Sequence, residues 1–147
     1  MQRFRFNLEK ILELRVYDER QAELRLAEAT GLCNSLHRKI EECDRRQRKA
    51  FARRGTIGKD ISAFLQVEYF SRRMSQDIER LIRETEEAEK VRRQRQQEFL
   101  EFSRKRKILD KLKERKQNLY YREQMKAEQK NLDDISSSMY IRKMEGL

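Results

Sequence analysis

Only three side chains in this sequence are cysteine or histidine, the types that most often serve as thiol redox centres or zinc ligands: Cys33, His37 and Cys43. Ten helical residues would separate the two cysteines by about 15 Å, too far for a disulfide within one straight helix. No second cysteine or histidine cluster supplies metal-ligand spacing, and the cysteines read as small apolar side chains in a reducing compartment. His37 has no nucleophile pattern beside it and reads as part of a solvated helix face. The pair Gly55 and Gly58 lacks the spacing and the flanking strand of a phosphate-binding loop. Carboxylates are abundant, but they alternate with Lys and Arg as helix-surface charges do. The sequence therefore offers no catalytic residue, no metal site and no cofactor site, and the chain is expected not to be an enzyme and to take no small-molecule substrate.

The elements that carry these residues are legible from composition. There is no proline among 147 residues, and 42% of them are charged. An average chain of this length holds about seven prolines, and proline is the residue that a helix interior cannot accept. The chain is all-α, built of very long helices. With 37% hydrophobic residues and no Trp, it lacks the apolar material for a globular core. What distinguishes it from a disordered polyelectrolyte is that its apolar residues fall on a helical stripe.

Ala22, Leu26, Ala29, Cys33, Leu36, Ile40 and Cys43 are spaced alternately by four and three, an uninterrupted seam that asks for a partner helix. The same frame reaches back to Leu8 and Leu12 but places Arg15 and Glu19 between them and Ala22. A second frame runs through Met74, Ile78, Leu81, Thr85, Ala88, Arg92, Arg95, Phe99 and Phe102, after which it drifts. Between the frames lie Gly55 and Gly58, with Asp60 or Thr56 able to cap a following helix. The expected architecture is one domain over residues 1–147. Helix 1 spans about 3–54, a turn 55–59, helix 2 about 60–135, and a frayed tail 136–147. The two helices form an antiparallel coiled-coil hairpin, with helix 2 overhanging.

A turn centred on the glycines predicts facing residues whose numbers add to about 113. Leu36 and Ile40 then meet Met74 and Ile78, Phe102 meets Ile11, Leu109 meets Phe4, and Arg15 and Glu19 fall opposite Arg92 and Arg95. Residues beyond about 110 lack a partner, leaving some 25 helical residues, or about 35–40 Å, projecting alone.

Phe51, Phe64, Tyr69 and Phe70 gather near the turn, and Phe4, Phe6, Phe99 and Phe102 at the far end. They either thicken the small core at its two ends or present docking patches for other proteins. The formal net charge is +10, which suits acidic protein surfaces, anionic lipid or nucleic acid. Basic clusters at Arg45–Lys49, Lys90–Arg95, Arg104–Lys107 and Lys111–Lys116 are interleaved with Glu and Gln, so nucleic acid is not the expected partner. No apolar run of 18 or more residues could span a membrane. The basic start is followed by the acid-rich Leu8–Glu19 stretch rather than a signal-peptide core, so a cytoplasmic location is expected.

The opening Phe4-Arg5-Phe6-Asn7-Leu8-Glu9-Lys10-Ile11-Leu12-Glu13-Leu14-Arg15 resembles the start of the bacterial flagellar export protein FliJ. Length, the glycine-marked turn, Tyr69-Phe70 followed by Met74 and Ile78, and the basic tail also match that family. Stalk proteins of non-flagellar type III secretion share the layout. The resemblance implies a cytoplasmic component of the flagellar type III export apparatus, peripheral at the cell membrane. In that role a central-stalk-like coiled coil engages the hexameric export ATPase, the cytoplasmic domain of the export gate and export chaperones. It further implies an ATPase-ring contact from Phe4, Phe6, Arg15, Phe99, Phe102, Arg104, Lys105, Arg106, Lys107, Lys111 and Arg115. For the export gate it implies a contact from Phe51, Tyr69, Phe70, Met74, Ile78 and Leu81. The alternative from the residues alone is a basic coiled-coil scaffold for nucleic acid or an anionic membrane.

Overall fold

The structure is a computed structural model that describes residues 2–146. Two helices, α1 (Glu9–Arg54) and α2 (Ile61–Glu145), form an antiparallel hairpin in which α2 overhangs α1. Among the described residues there is no strand.

The turn is built as its residue types require. Arg54 ends α1, and both the backbone N–H (3.0 Å) and the hydroxyl (2.7 Å) of Thr56 donate to the Arg53 carbonyl. Gly58 takes φ 67°, a left-handed conformation that costs other residues a steric clash. Asp60 then caps α2: its Oδ1 accepts from the backbone N–H groups of Ser62 (3.1 Å) and Ala63 (3.3 Å).

Packing divides the chain into two units. One comprises residues 18–102 and holds the turn; the other comprises residues 1–17 with 103–147. In the first, Cys33, Leu36, Leu81 and Ala88 form the buried core, with Ile40 and Cys43 packed against it. Ala22 and Met74 are also buried, while Leu26 and Ala29 are half-buried. Buried Thr85 satisfies its hydroxyl on the Leu81 carbonyl at 2.7 Å.

The register differs from the symmetric one. Arg54 pairs with Glu68, and Gln47 donates to the Ser75 hydroxyl at 2.7 Å, so facing numbers add to about 122 rather than 113. The shift is a little over one heptad. A strictly repeating seam presents nearly the same face after sliding by seven residues, so periodicity alone leaves that choice open. It is fixed by the connection: α2 starts about two turns beyond the end of α1, and residues 55–60 climb beside those turns. Leu36 therefore packs in the cluster with Leu81 and Ala88 instead of meeting Met74. Arg92 and Arg95 come level with positions 30 and 27 and pair with Glu89 (2.8 Å) and Glu98 (3.1 Å) on their own helix. Positions 30 and 27, not Glu19, therefore lie level with Arg92 and Arg95, where a polar layer with Glu19 was expected.

In the second unit, α1 starts at Glu9, not near residue 3. The preceding non-helical segment is held on α2: Tyr120 donates to the Gln2 carbonyl, Lys116 donates to Asn7 Oδ1 (3.3 Å), and the Phe4 ring packs tilted against Tyr120 at 5.6 Å. Phe4 thus meets Tyr120 where Leu109 was expected. Lys113 pairs with Glu9 at 2.8 Å, so Ile11 comes level with position 111, where Phe102 was expected. After Phe102, buried Ser103 and half-buried Asp110, Leu112 and Gln117 share the inner side with a basic set. Arg106, Leu109, Lys113, Lys116 and Tyr120 are half-buried and keep the four-three spacing. Their basic members lay alkyl stems along the seam and carry their charge outward.

At the far end α2 continues through Ser136–Ser138 to Glu145 instead of ending near 135. Serine costs only a few tenths of a kcal/mol in a helix, and no proline or glycine interrupts before Gly146, whose N–H donates to the Arg142 carbonyl. Leu147 lies outside the described residues.

Candidate functional site

The chemically capable residues converge in one place, in the unit of residues 18–102. Glu89 lies between His37 (Nε2 to Oε1 3.7 Å) and Arg92 (2.8 Å), beside the buried Cys33. Burial pushes the Cys33 thiol above its ordinary 9.0, and the neighbouring Glu89 carboxylate raises it further against the opposing pull of Arg92. Thiolate is the reactive form, so Cys33 is a packing residue at neutral pH. The Glu89 carboxyl is held below its ordinary 4.5, chiefly by the hydrogen bond from Arg92. Among the described residues no three His, Cys, Asp or Glu side chains are placed to hold a metal ion.

At the turn, the Arg54 guanidinium lies over the Phe64 ring (4.7 Å) and near the Phe51 ring (5.8 Å) while pairing with Glu68. This pins two of the aromatic residues to the helix end. Phe51, Tyr69 and Phe70 stay exposed. Met74 and Leu81, by contrast, are buried in the seam and Ile78 is half-buried. The six residues expected to form one gate-facing surface thus split between an outward aromatic group and an inward core group.

In the unit of residues 1–17 and 103–147, Phe6 is buried with the Lys116 ammonium over its ring at 5.8 Å, and Leu12 is buried beside it in sequence. Arg15 and Arg106 are half-buried, and Arg106 is tied to Asp110 at 2.5 Å. Arg104, Lys105, Lys107, Lys111 and Arg115 are exposed. Phe99 and Phe102 are half-buried and belong to the other unit.

The segment before α1 reaches back along α2 to Tyr120 and shares a groove with Tyr121 and Gln124, so the overhang starts well beyond 110. From Tyr121 to Glu145 about 25 residues, or about 37 Å of helix, have no helix opposite. Sequence reasoning located the overhang ten residues early and missed its pattern. Tyr121, Met125, Leu132, Ile135 and Met139 lie on a four-three-four-three-four frame completed by Glu128, and each apolar member is more than half exposed. The spacing was present in the sequence, but it is one residue out of step with the frame through Arg106, Lys113 and Tyr120. Residues 122–146 contain five basic and five acidic side chains, so the overhang is neutral while the rest of the chain carries the whole +10.

Among the described residues no helix is long and apolar enough to cross a membrane. The profile of the family described as Flagellar FliJ protein matches residues 4–145. Comparison with curated proteins and with solved structures finds no match.

Proposed function

Since the chain belongs to the flagellar FliJ protein family, and so to flagellar export, we propose that it is a non-enzymatic, central-stalk-like coiled coil coupling the export ATPase ring to the export gate. The carrying observation is the helix from Tyr121 to Glu145, which presents a regular apolar seam whose members are each more than half exposed. Isolated helix is marginal in water, and an exposed seam of this length gains stability only by docking. The hexameric ATPase supplies the occupant at this end. Arg104, Lys105, Lys107, Lys111 and Arg115 flank the overhang and attract an acidic lining; the apolar seam supplies the short-range contact. Phe4, Phe6, Arg15, Phe99, Phe102 and Arg106 act mainly by stiffening the helices that carry this end.

The gate domain is assigned to the turn, where Phe51, Tyr69 and Phe70 are accessible, and export chaperones share the exposed faces. Many basic residues are neutralised within one turn: Arg45 and Arg46 by Glu42, Arg48 by Asp44, Lys90 by Glu87. That breaks up any continuous basic face and favours proteins over nucleic acid or membrane as partners. The test is binding of the purified export ATPase and of the gate's cytoplasmic domain to the full chain and to a chain ending at Tyr121. Truncation should abolish ATPase binding and spare gate binding. Retained ATPase binding would place the ring contact elsewhere.

A further inference from the structure

Beside the turn, in the unit of residues 18–102, the climb of residues 55–60 leaves an open groove of about 730 Å³. Its floor is apolar: Ala50, Ile57, Ala63, Val67 and Phe70. Its α1 bank is basic, formed by Arg46, Lys49 and Arg53 at helical spacing, and no carboxylate lines it. Arg46 is engaged by Glu42 at 3.2 Å, and among the described residues no carboxylate pairs with the ammonium of Lys49 or the guanidinium of Arg53. Two such cations beside an apolar trough supply the charge that an acidic occupant would meet.

We propose that this groove takes an acidic amphipathic helix from a partner protein, seated with its apolar face on Ile57, Val67 and Phe70 and its carboxylates against Lys49 and Arg53. Arg46 to Arg53 spans about two helical turns, which matches a short helix presenting apolar residues at i, i+3, i+4 and i+7. Charge complementarity selects the sign of the occupant. The apolar floor selects a protein helix over a nucleic acid, which would need stacking rings and a continuous phosphate track. The inference rests on the assignment of the gate to the turn only in sharing Phe70; its chemistry comes from the groove itself.

The probe is a fluorescein-labelled peptide of about 14 residues, with leucines on one helical face and glutamates on the other. Fluorescence anisotropy is measured on the full chain, beside a lysine-for-glutamate peptide and a scrambled acidic one. The acidic amphipathic probe should bind and the other two should not. The double variant Lys49→Glu, Arg53→Glu, and separately Phe70→Ser, should each weaken binding about ten-fold or more, with unchanged circular dichroism. Binding unaffected by these variants overturns the proposal, as does equal binding of the scrambled peptide, or no binding of the acidic probe. A single-stranded oligonucleotide that displaces the probe and loses affinity in the same variants would assign the groove to nucleic acid and likewise overturn it. No export protein is present in this assay. Variants that lose the probe yet still bind the gate domain would keep the groove assignment and move the gate contact elsewhere.

Discussion

Replacing Leu36 by alanine, and separately Leu132, separates the paired part of the molecule from the unpaired part. Leu36 is 5% exposed and sits in the core cluster; Leu132 is 64% exposed. Leucine to alanine removes three carbons, worth about 2.4 kcal/mol at about 0.8 kcal/mol per buried carbon. The cavity left at Leu36 adds little, because a two-helix seam is open at its flanks and can close in, so the expected loss is about 2–3 kcal/mol. For a chain of this size that corresponds to a fall in Tm of about 4–12 °C. Leu132 has no core to leave, and its loss should stay within about 0.5 kcal/mol. Urea unfolding followed by circular dichroism, at a concentration low enough to disfavour self-association, measures both. Equal losses at the two positions would refute the reasoning, because the overhang would then be packed as tightly as the seam.

Three further perturbations test the hairpin. Cysteines in place of Ile40 and Ile82, in a Cys33→Ala, Cys43→Ala background, should cross-link within one chain, since both residues line one groove on the seam; cysteines in place of Leu36 and Ile78 should not, and the reverse result would restore the symmetric register. At the turn, Asp60→Ala should cost about 1 kcal/mol through loss of the α2 cap, and Gly58→Ala about 1–2 kcal/mol through its left-handed φ; hydrogen exchange faster only around residues 55–65 would locate the effect, and unchanged exchange would dispute the turn. Glu89 has a depressed folded-state pKa, so its contribution is present above 4.5 and is lost as pH falls through the lower folded value. The acid limb of the stability profile should be shallower in Glu89→Gln than in the parent, and superimposable limbs would remove the Arg92–Glu89 pair from the account.

What the sequence made legible follows from what each signal constrains. Absence of proline and the four-three seam through Cys33 and Leu36 dictate long paired helices. Two glycines followed by Asp60 dictate a turn and a cap. Register was not legible, since sliding by a heptad preserves the seam; it is set by the connection through residues 55–60, and the Arg54–Glu68 pair reports it. The start of α1 was misplaced because Phe4 and Phe6 suit a helix as well as they suit a non-helical segment docked on Tyr120 and Lys116. For the candidate contacts, aromatic residue type located the turn patch at Phe51, Tyr69 and Phe70. The same set also held Met74 and Leu81, whose four-three spacing marks them as seam positions and which the structure buries.

The coupling role is tested most directly by the steady-state ATPase activity of the purified export ATPase, with the full chain and with the chain ending at Tyr121. The full chain should stimulate hydrolysis by favouring the assembled ring, since a ligand shifts an equilibrium only through its differential affinity. The truncated chain, still folded as a hairpin by circular dichroism, should not stimulate. Equal stimulation by both chains, or none by the full chain, would contradict the account.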